Sequence, residues 1–226
     1  MKKTTIGYVG MSHLGLNYAV ATANKKFHVY CFDSNKETIK ILNKKKSPVY
    51  EKNLDFNIKK NYSNLNFTSQ IKDIFKCDIV YISQDVPTND KGKSNLDKIR
   101  KQINLVLKNL NKKAILVILC QVPPGFCRKI IWPKRQLYYQ VETLIFGKAL
   151  ERASFPERFI IGSENNNKIS KVYKNYLKTF KCPILNMSYE SAELAKISIN
   201  IYLISTVTTS NILSEICEKV MLTGKI

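Results

Sequence analysis

The chain has few residues that bind metal ions, and no sequence pattern groups them. Only two histidines occur, and the six cysteines include no CxxC pair. Several of these cysteines lie in or beside apolar segments, which is typical of buried free thiols in a reducing cytosol. We therefore expect no metal site and a cytoplasmic location. The cysteines are Cys31, Cys77, Cys120, Cys127, Cys182 and Cys217.

Long hydrophobic runs are also missing. A membrane-spanning helix needs roughly 18 consecutive apolar residues, and Lys196, Asn200 and several hydroxyl residues interrupt the longest candidate. The opening residues MKKTT lead straight into the first apolar segment, so no signal peptide is expected. We expect no membrane partner.

Arginine is scarce although the chain is strongly basic. The formal net charge is +20, yet only five of the 37 basic residues are arginines. Basic residues that bind nucleic acid tend to cluster and to include arginine, whereas these lysines are scattered among asparagine and isoleucine. We interpret the charge as a coding bias that leaves a lysine-rich surface, and we expect no nucleic-acid partner. A functional basic patch is the alternative interpretation.

The stretch 4–33 has the order of parts of a βαβ unit. A short apolar strand is followed by the turn GMSHLG, a helix of small and apolar residues, and a second strand, HVYCF, that ends at an acid. In a dinucleotide-binding unit, Gly10 allows a tight turn, Gly15 allows close packing of the helix on the sheet, and helix N–H groups face a pyrophosphate. Asp33 could accept hydrogen bonds from both hydroxyls of an adenosine ribose. A plain strand–helix turn is the alternative, because Ser12 replaces the central glycine of the fingerprint.

Beyond this unit, strand and helix patterns continue to alternate. The apolar runs DIVYIS (78–83) and AILVIL (114–119) predict strands buried on both faces. The loops that follow them are expected at the carboxyl ends of parallel strands, where an open α/β sheet binds ligands. The sequence therefore predicts a Rossmann-like, doubly wound, mostly parallel α/β sheet. Further predicted elements are helices at 36–43, 96–110 and near 168–177, a strand at 159–161 and a short apolar segment at Pro183.

A long helix is predicted at the end of the chain, because no proline or glycine occurs from Glu190 until Gly224. On one face, Glu193, Lys196 and Asn200 stand at i, i+3 and i+7, so the last two are one turn apart. Their spacing alone favours a surface ion pair with a neighbouring amide. Another face is apolar enough to predict packing against a partner; its residues are Leu194, Ile197, Ile201, Ile204, Ile212, Ile216 and Val220.

Six stretches of the chain follow one another in a family-specific order. They are IGYVGMSHLG with Asp33, SPVYEKNL, DIVYISQDVPTNDKG, VILCQVPPGF, YYQVETLIFGKALERASFPERFIIG and SAELAKISINIYLISTVTTSN. With these stretches the chain resembles the N-terminal half of the nucleotide-sugar dehydrogenases, the UDP-glucose 6-dehydrogenase and GDP-mannose dehydrogenase family. The resemblance extends from residue 5 to about residue 220.

The resemblance implies an NAD-dependent enzyme that oxidises the C6 hydroxyl of a nucleotide sugar, UDP-glucose or a similar one, to a carboxylate. Such enzymes use two NAD molecules and hold the aldehyde on a cysteine as a thiohemiacetal. By position, Glu142 corresponds to the glutamate involved in hydrolysing the thioester, and Lys196 and Asn200 to the lysine and asparagine beside the sugar C6. An ammonium and an amide can stabilise negative charge on oxygen, and a carboxylate can position or deprotonate water.

The resemblance also implies two sets of binding residues. Those expected around NAD are Gly10, Met11, Ser12, His13, Leu14, Gly15, Asp33, Val86, Pro87, Thr88 and Gln121. Those expected around the nucleotide sugar are Glu142, Thr143, Leu144, Ile145, Phe146, Lys196 and Asn200.

Five positions depart from the family pattern, so the cofactor geometry is expected to differ. Ser12 replaces the central glycine, Val86 and Gln121 each replace a threonine, Phe146 replaces a second acid beside the nicotinamide, and Val141 replaces a proline.

Length is the largest departure from the family. The family's nucleophilic cysteine and second Rossmann-like domain lie beyond the long helix, so we expect this chain to lack them and not to be competent alone. Cys217 lies where the family has no nucleophile, and we interpret it as a core or interface thiol. The expected domains are an NAD-binding domain over 1–187 and the truncated start of a central helical dimerisation domain over 188–226.

Three hypotheses follow for the function. The first is a nucleotide-sugar dehydrogenase by descent, either a truncated product or one half of a split enzyme. Its expected partner is a second copy, bound through residues 190–220, or a complementary C-terminal polypeptide. The second is a catalytically inactive module that binds NAD and dimerises. The third is a basic nucleic-acid binder, for which interleaved aromatic residues and arginine clusters are lacking.

Overall fold

A computed structural model describes residues 4–86, 95–164 and 168–220 of the chain. The strands within this part are β1 (Thr5–Val9), β2 (His28–Phe32), β3 (Leu65–Thr68), β4 (Ile79–Ile82), β5 (Ile115–Ile118), β6 (Leu137–Gln140), β7 (Phe159–Ser163) and β8 (Ile184–Ser188). The helices are α1 (His13–Asn24), α2 (Lys36–Asn43), α3 (Leu54–Lys60), α4 (Leu96–Asn109), α5 (Ala149–Ser154), α6 (Lys171–Lys178) and α7 (Tyr189–Lys219).

The eight described strands pair in the order β3-β2-β1-β4-β5-β6-β7-β8. All neighbours run parallel except β6 and β7, which run antiparallel. The chain builds outward from β1 to β3 and then returns to β4 on the other side of β1. The predicted doubly wound, mostly parallel sheet is confirmed, and its switch point lies between β1 and β4, where such sheets bind ligands.

Side chains of the central strands alternate between two cores. Ile79 and Tyr81 of β4 join the core formed with α1, α3, α5 and α6. Val80 and Ile82 join the opposite core, formed with α4 and the first turn of α7. A strand with a core on each side must be apolar at every position, which is why the run DIVYIS lacks the alternation of a half-exposed strand.

Four elements carry too little sequence signal to be predicted. Helix α3 buries only Leu54 and Ile58, so its apolar face is two residues long. Strand β3 has four residues, one of them exposed, and β6 and α5 are also short. The segment around Pro48 and Glu51 leads into α3 and then into edge strand β3.

Helix α7 is long, as predicted, and has 31 residues. Its N-cap is Ser188, whose hydroxyl accepts a hydrogen bond from the Ser191 N–H. Its first two turns are buried at Tyr189, Ala192, Glu193 and Lys196, whereas residues 201–213 are exposed. No helix in the described ranges is long and apolar enough to span a membrane. The division of the chain into domains 1–187 and 188–226 stays a prediction.

Candidate active site

The turn between β1 and α1 depends on two glycines. Gly10 has φ +100°, a conformation that favours glycine, and a Cβ there would lie 2.9 Å from the backbone of Gln84. A Cβ on Gly15 would lie 1.9 Å from the Gly10 carbonyl oxygen. Any larger residue at Gly15 would therefore push α1 away from the turn. The two glycines have the roles predicted for them, and the N-terminus of α1 is left close to the sheet.

Ser12 occupies the central position of the turn without blocking it. It is the N-cap of α1, but its hydroxyl donates to the Ser83 carbonyl oxygen at 3.0 Å instead of capping the helix. By contrast, α2, α4, α6 and α7 each have an N-cap side chain that accepts from their first-turn N–H groups. The N–H groups at the start of α1 therefore stay available for an anion such as a pyrophosphate.

Asp33 faces this turn from the end of β2. One carboxylate oxygen accepts a hydrogen bond from the Met11 N–H at 2.7 Å, and the other accepts one from the Asn35 N–H at 2.9 Å. The carboxylate is thus held on the same side of the sheet edge as the N-terminus of α1. Its position fits the predicted contact with the hydroxyls of an adenosine ribose.

A cavity of about 290 Å³ lies at the carboxyl ends of β4, β5 and β6. It brings together predicted cofactor residues and predicted substrate residues from distant parts of the sequence. Pro87 and Thr88 lie outside the described residues. The lining residues are His13, Leu14, Gln84, Asp85, Val86, Cys120, Gln121, Glu142, Leu144 and Phe146.

Lys196 and Glu142 form an ion pair beside this cavity. The side chains are 8% and 17% exposed, so both charges are largely removed from water. Asn200, one turn further along α7, donates its amide N–H to the Gln121 side-chain oxygen at 2.9 Å. The three predicted catalytic residues therefore lie beside the same cavity, although Glu142 and Lys196 are 54 residues apart in sequence.

The surface ion pair favoured by spacing alone is wrong. Glu193 is fully buried, and its carboxylate accepts hydrogen bonds from the backbone N–H groups of Gly125 at 2.6 Å and Cys127 at 2.8 Å. Burial raises the pKa of Glu193 above its usual value. Lys196 turns to Glu142 instead. Spacing within α7 could not reveal the partners of Glu193 and Lys196, because those partners belong to the loops that follow β5 and β6.

Glu51 is a buried residue that the sequence did not identify as part of the site. Its carboxylate pairs with the His13 ring at 2.9 Å and accepts from the Gly147 N–H at 3.1 Å. Burial acts to raise the pKa of Glu51, but hydrogen bonds with His13, Gly147 and Ala149 outweigh it and hold that pKa below its usual value. Glu51 thereby ties the loop after β6 to the first turn of α1.

Phe146 closes the outer side of the cavity. Its ring lies on the His13 ring, with 4.4 Å between the ring centroids, and is 81% exposed. Four other residues predicted around the nucleotide sugar do not line the cavity: Lys196 and Asn200, which lie beside it, and Thr143 and Ile145. Ile145 is exposed, and the Thr143 carbonyl accepts a hydrogen bond from Arg152 at 2.9 Å.

A larger cleft of about 510 Å³ lies between α1, α3 and α5 and shares Glu51 and Gly147 with the edge of this site. Its lining includes four lysines and two glutamates, so its charge is mixed. In the parts of the chain that the structure describes, no group of three histidine, cysteine or acidic side chains could hold a metal ion.

An open helix N-terminus, an acid at the end of β2 and a cavity beyond the switch point define a dinucleotide-binding Rossmann domain. The chain belongs to the UDP-glucose/GDP-mannose dehydrogenase family, whose NAD binding domain matches residues 4–180. The predicted family is therefore confirmed.

The curated relatives are longer than this chain. A UDP-glucose 6-dehydrogenase of Rickettsia typhi is 28% identical over 95% of the chain and 52% of its own length. The UDP-glucose 6-dehydrogenase TuaD of Bacillus subtilis is 27% identical over 97% of the chain and 50% of its own length. The chain thus spans about half the length of the curated relatives it matches.

The fold agrees with solved structures of the same family. A GDP-mannose dehydrogenase from Pseudomonas aeruginosa is similar with a TM-score of 0.84 at 20% identity, over 91% of this chain and 51% of that one. A UDP-glucose dehydrogenase from Pyrobaculum islandicum is similar with a TM-score of 0.78 at 22% identity, over 89% of this chain and 50% of that one.

Replacing Glu193 with alanine should lower the free energy of unfolding by about 3 kcal/mol, because two buried N–H groups lose their acceptor. Glu190→Ala is the matched control, since it removes a carboxylate of the same helix whose ion pair with Arg128 is partly exposed. The control should cost about 1 kcal/mol or less. Urea unfolding followed by circular dichroism measures both, and equal costs would contradict the anchoring role of Glu193.

Proposed function

We propose that this chain supplies the NAD-binding part of a nucleotide-sugar dehydrogenase that oxidises the C6 hydroxyl of a UDP-sugar such as UDP-glucose to a carboxylate. The observation that carries this proposal is the meeting of Lys196, Glu142 and Asn200 beside the cavity at the switch point. A domain that only binds a dinucleotide has no need of a desolvated ammonium–carboxylate pair at that place. Burying two charges has a desolvation cost that their mutual attraction often does not repay, so an ion pair at this place favours a chemical role.

NAD fits the groove that this chain provides. The N–H groups at the start of α1 would hold the pyrophosphate, and Asp33 would bind the adenosine ribose. With the adenosine on the β2 side of the switch point, the other half of the dinucleotide falls over β4 and β5, where the cavity lies. When bound, NAD would accept the hydride that leaves the sugar carbon.

The residues beside the cavity suit the oxygen chemistry at C6. The Lys196 ammonium is held by Glu142 in a poorly solvated position, where it would stabilise negative charge on the substrate oxygen. The Asn200 amide, oriented by Gln121, would add a second polar contact. Glu142 would position or deprotonate the water that completes the oxidation.

The thiol that lines the cavity does not suit the nucleophile's role. Burial raises the pKa of Cys120 to about 12, so this thiol stays protonated and weakly nucleophilic at neutral pH. We infer that a cysteine outside the matched half of the family supplies the nucleophile. All six cysteines of the chain are free, which supports a cytoplasmic setting for it.

The exposed half of α7 favours a partner. Ile201, Ile204, Ile212 and Ile216 are each about half exposed or more, and they follow one another along one face of the helix. We propose that a second copy of the chain covers this face, or that a complementary C-terminal polypeptide does. The same face is what favours the second candidate function, an NAD-binding and dimerisation module without chemistry.

Asp33→Ala should weaken NAD binding at least about tenfold, because two hydrogen bonds from ribose hydroxyls to a charged acceptor are lost. Asp97→Ala, which removes an exposed carboxylate at the start of α4, is the control and should bind NAD like the original chain. Isothermal titration calorimetry measures both affinities. An unchanged affinity for Asp33→Ala, or no NAD binding by the original chain, would contradict the proposed cofactor groove.

This chain alone, mixed with NAD and UDP-glucose, should bind NAD and produce little NADH. The reason is that its cavity thiol is not activated, so the covalent step lacks a nucleophile. NADH absorbance over time is the measurement, with Lys196→Met as the control for background turnover. If the original chain turns over robustly and Lys196→Met abolishes that turnover, the inference that a cysteine outside the matched half supplies the nucleophile is overturned.

Ile204→Glu should weaken self-association by placing a charge in the apolar interface. Ser210→Glu adds the same charge on the opposite face of α7 by helical spacing, and should have a smaller effect. Sedimentation velocity over a concentration series separates the two variants. A chain that stays monomeric at all concentrations would exclude the homodimer and leave the complementary polypeptide as the partner.

A further inference from the structure

Asp85 is a carboxylate in the cofactor cavity that has no part in the function proposed above. It follows β4 by three residues and lines the cavity together with Gln121, Glu142 and Phe146. The residue is exposed, yet protein surrounds its carboxylate enough that burial raises its pKa, and Glu142 repels it further. The nearby Ser12 side chain and the charge interaction with His13 act to lower that pKa. The carboxylate therefore lies between the glycine turn and the Glu142 end of the cavity.

The other charges of the cavity are already paired. Glu142 is neutralised by Lys196, and His13 is bonded to Glu51. Among the described residues, no lysine or arginine forms an ion pair with Asp85. Within the described part of the cavity, Asp85 is therefore a carboxylate without a lysine or arginine partner, and the charge interaction that favours its ionised form comes from His13.

The position of this charge matches one end of the dinucleotide. Asp33 marks the adenosine end on the β2 side of the switch point, so the cavity over β4 and β5 takes the nicotinamide end. The nicotinamide ring is a cation when oxidised and neutral when reduced. A carboxylate beside it attracts only the oxidised ring.

We propose that Asp85 is a specificity residue that makes the cavity prefer oxidised NAD over reduced NADH. This inference rests on the proposed function, since it requires that NAD occupies the groove. Its consequence is that the oxidised cofactor is retained and the reduced product is released more easily.

The charge of the whole chain acts against this preference. NADH carries one more negative charge than NAD, and a protein of formal net charge +20 attracts the more anionic form at long range. A local negative charge at the nicotinamide would offset this long-range attraction, and Asp85 is the carboxylate of the described cavity that has no lysine or arginine partner.

The test compares the affinities of Asp85→Asn and the original chain for NAD, NADH and ADP-ribose. The ratio of the NADH dissociation constant to the NAD dissociation constant should fall by about threefold to tenfold in the variant. ADP-ribose lacks the nicotinamide, so its binding should stay the same or tighten as repulsion of the pyrophosphate is relieved. Calorimetry at neutral pH and fixed low salt gives all three constants.

Three controls separate charge from shape and from folding. Asp85→Glu keeps the charge and should keep the preference for NAD. Asp97→Asn removes a distant exposed carboxylate and should leave the ratio unchanged. Asp85→Ser is a second neutral variant, measured in case Asp85→Asn no longer binds ADP-ribose because the groove is disturbed.

The outcomes distinguish this inference from the proposed function. If the original chain binds neither NAD nor ADP-ribose, the proposed function fails and Asp85 has no cofactor to select. If all three ligands bind and the neutral variants keep the original ratio, the role of Asp85 is overturned and the cofactor groove stands. A lower ratio in a neutral variant that still binds ADP-ribose supports the role of Asp85.

Discussion

The candidate site depends on how α7 is held against the ends of β5 and β6. Two carboxylates contribute to this attachment. The buried Glu193 accepts hydrogen bonds from two N–H groups of the loop after β5, and the largely buried Glu142, on the loop after β6, pairs with Lys196 of α7. Charged groups removed from water are stable only with complementary partners in good geometry. One register of α7 satisfies both, and that register also brings Asn200 to Gln121. The same contacts that fix the helix therefore assemble the chemical groups.

The cofactor groove is organised in a similar way without its ligand. Asp33 is already held toward the turn by the Met11 N–H, and Glu51 ties the loop after β6 to the start of α1. A groove ordered in advance loses less conformational freedom when a ligand binds. Ser12 is compatible with this arrangement because its hydroxyl turns to the Ser83 carbonyl and leaves the helix N–H groups open. The replacement of a glycine here changes the lining of the turn more than its shape.

Sequence patterns predicted the elements that have one strong requirement. Strands β4 and β5 are buried on both faces and are apolar throughout, and α4 repeats its apolar residues at helical spacing. Short elements such as α3 and β3 were not predicted, because two or three buried side chains are too few to show a helical or strand periodicity. Glu51 was not predicted as a site residue for a related reason. A carboxylate in a polar segment gives no sequence signal, and only the fold buries it beside His13.

The sequence by itself determined the class of fold, the glycine turn with its acid at position 33, and the long final helix. These depend on local spacing and on backbone requirements that neighbouring residues impose. Only the tertiary structure decided which partners the charged residues take. Lys196 lies three residues from Glu193 but pairs with Glu142. The reason is that Glu193 already accepts hydrogen bonds from backbone N–H groups of the loop after β5. Which charges pair in a buried site depends on the distances between them and on how far each is removed from water. The spacing of residues along one helix does not determine either quantity.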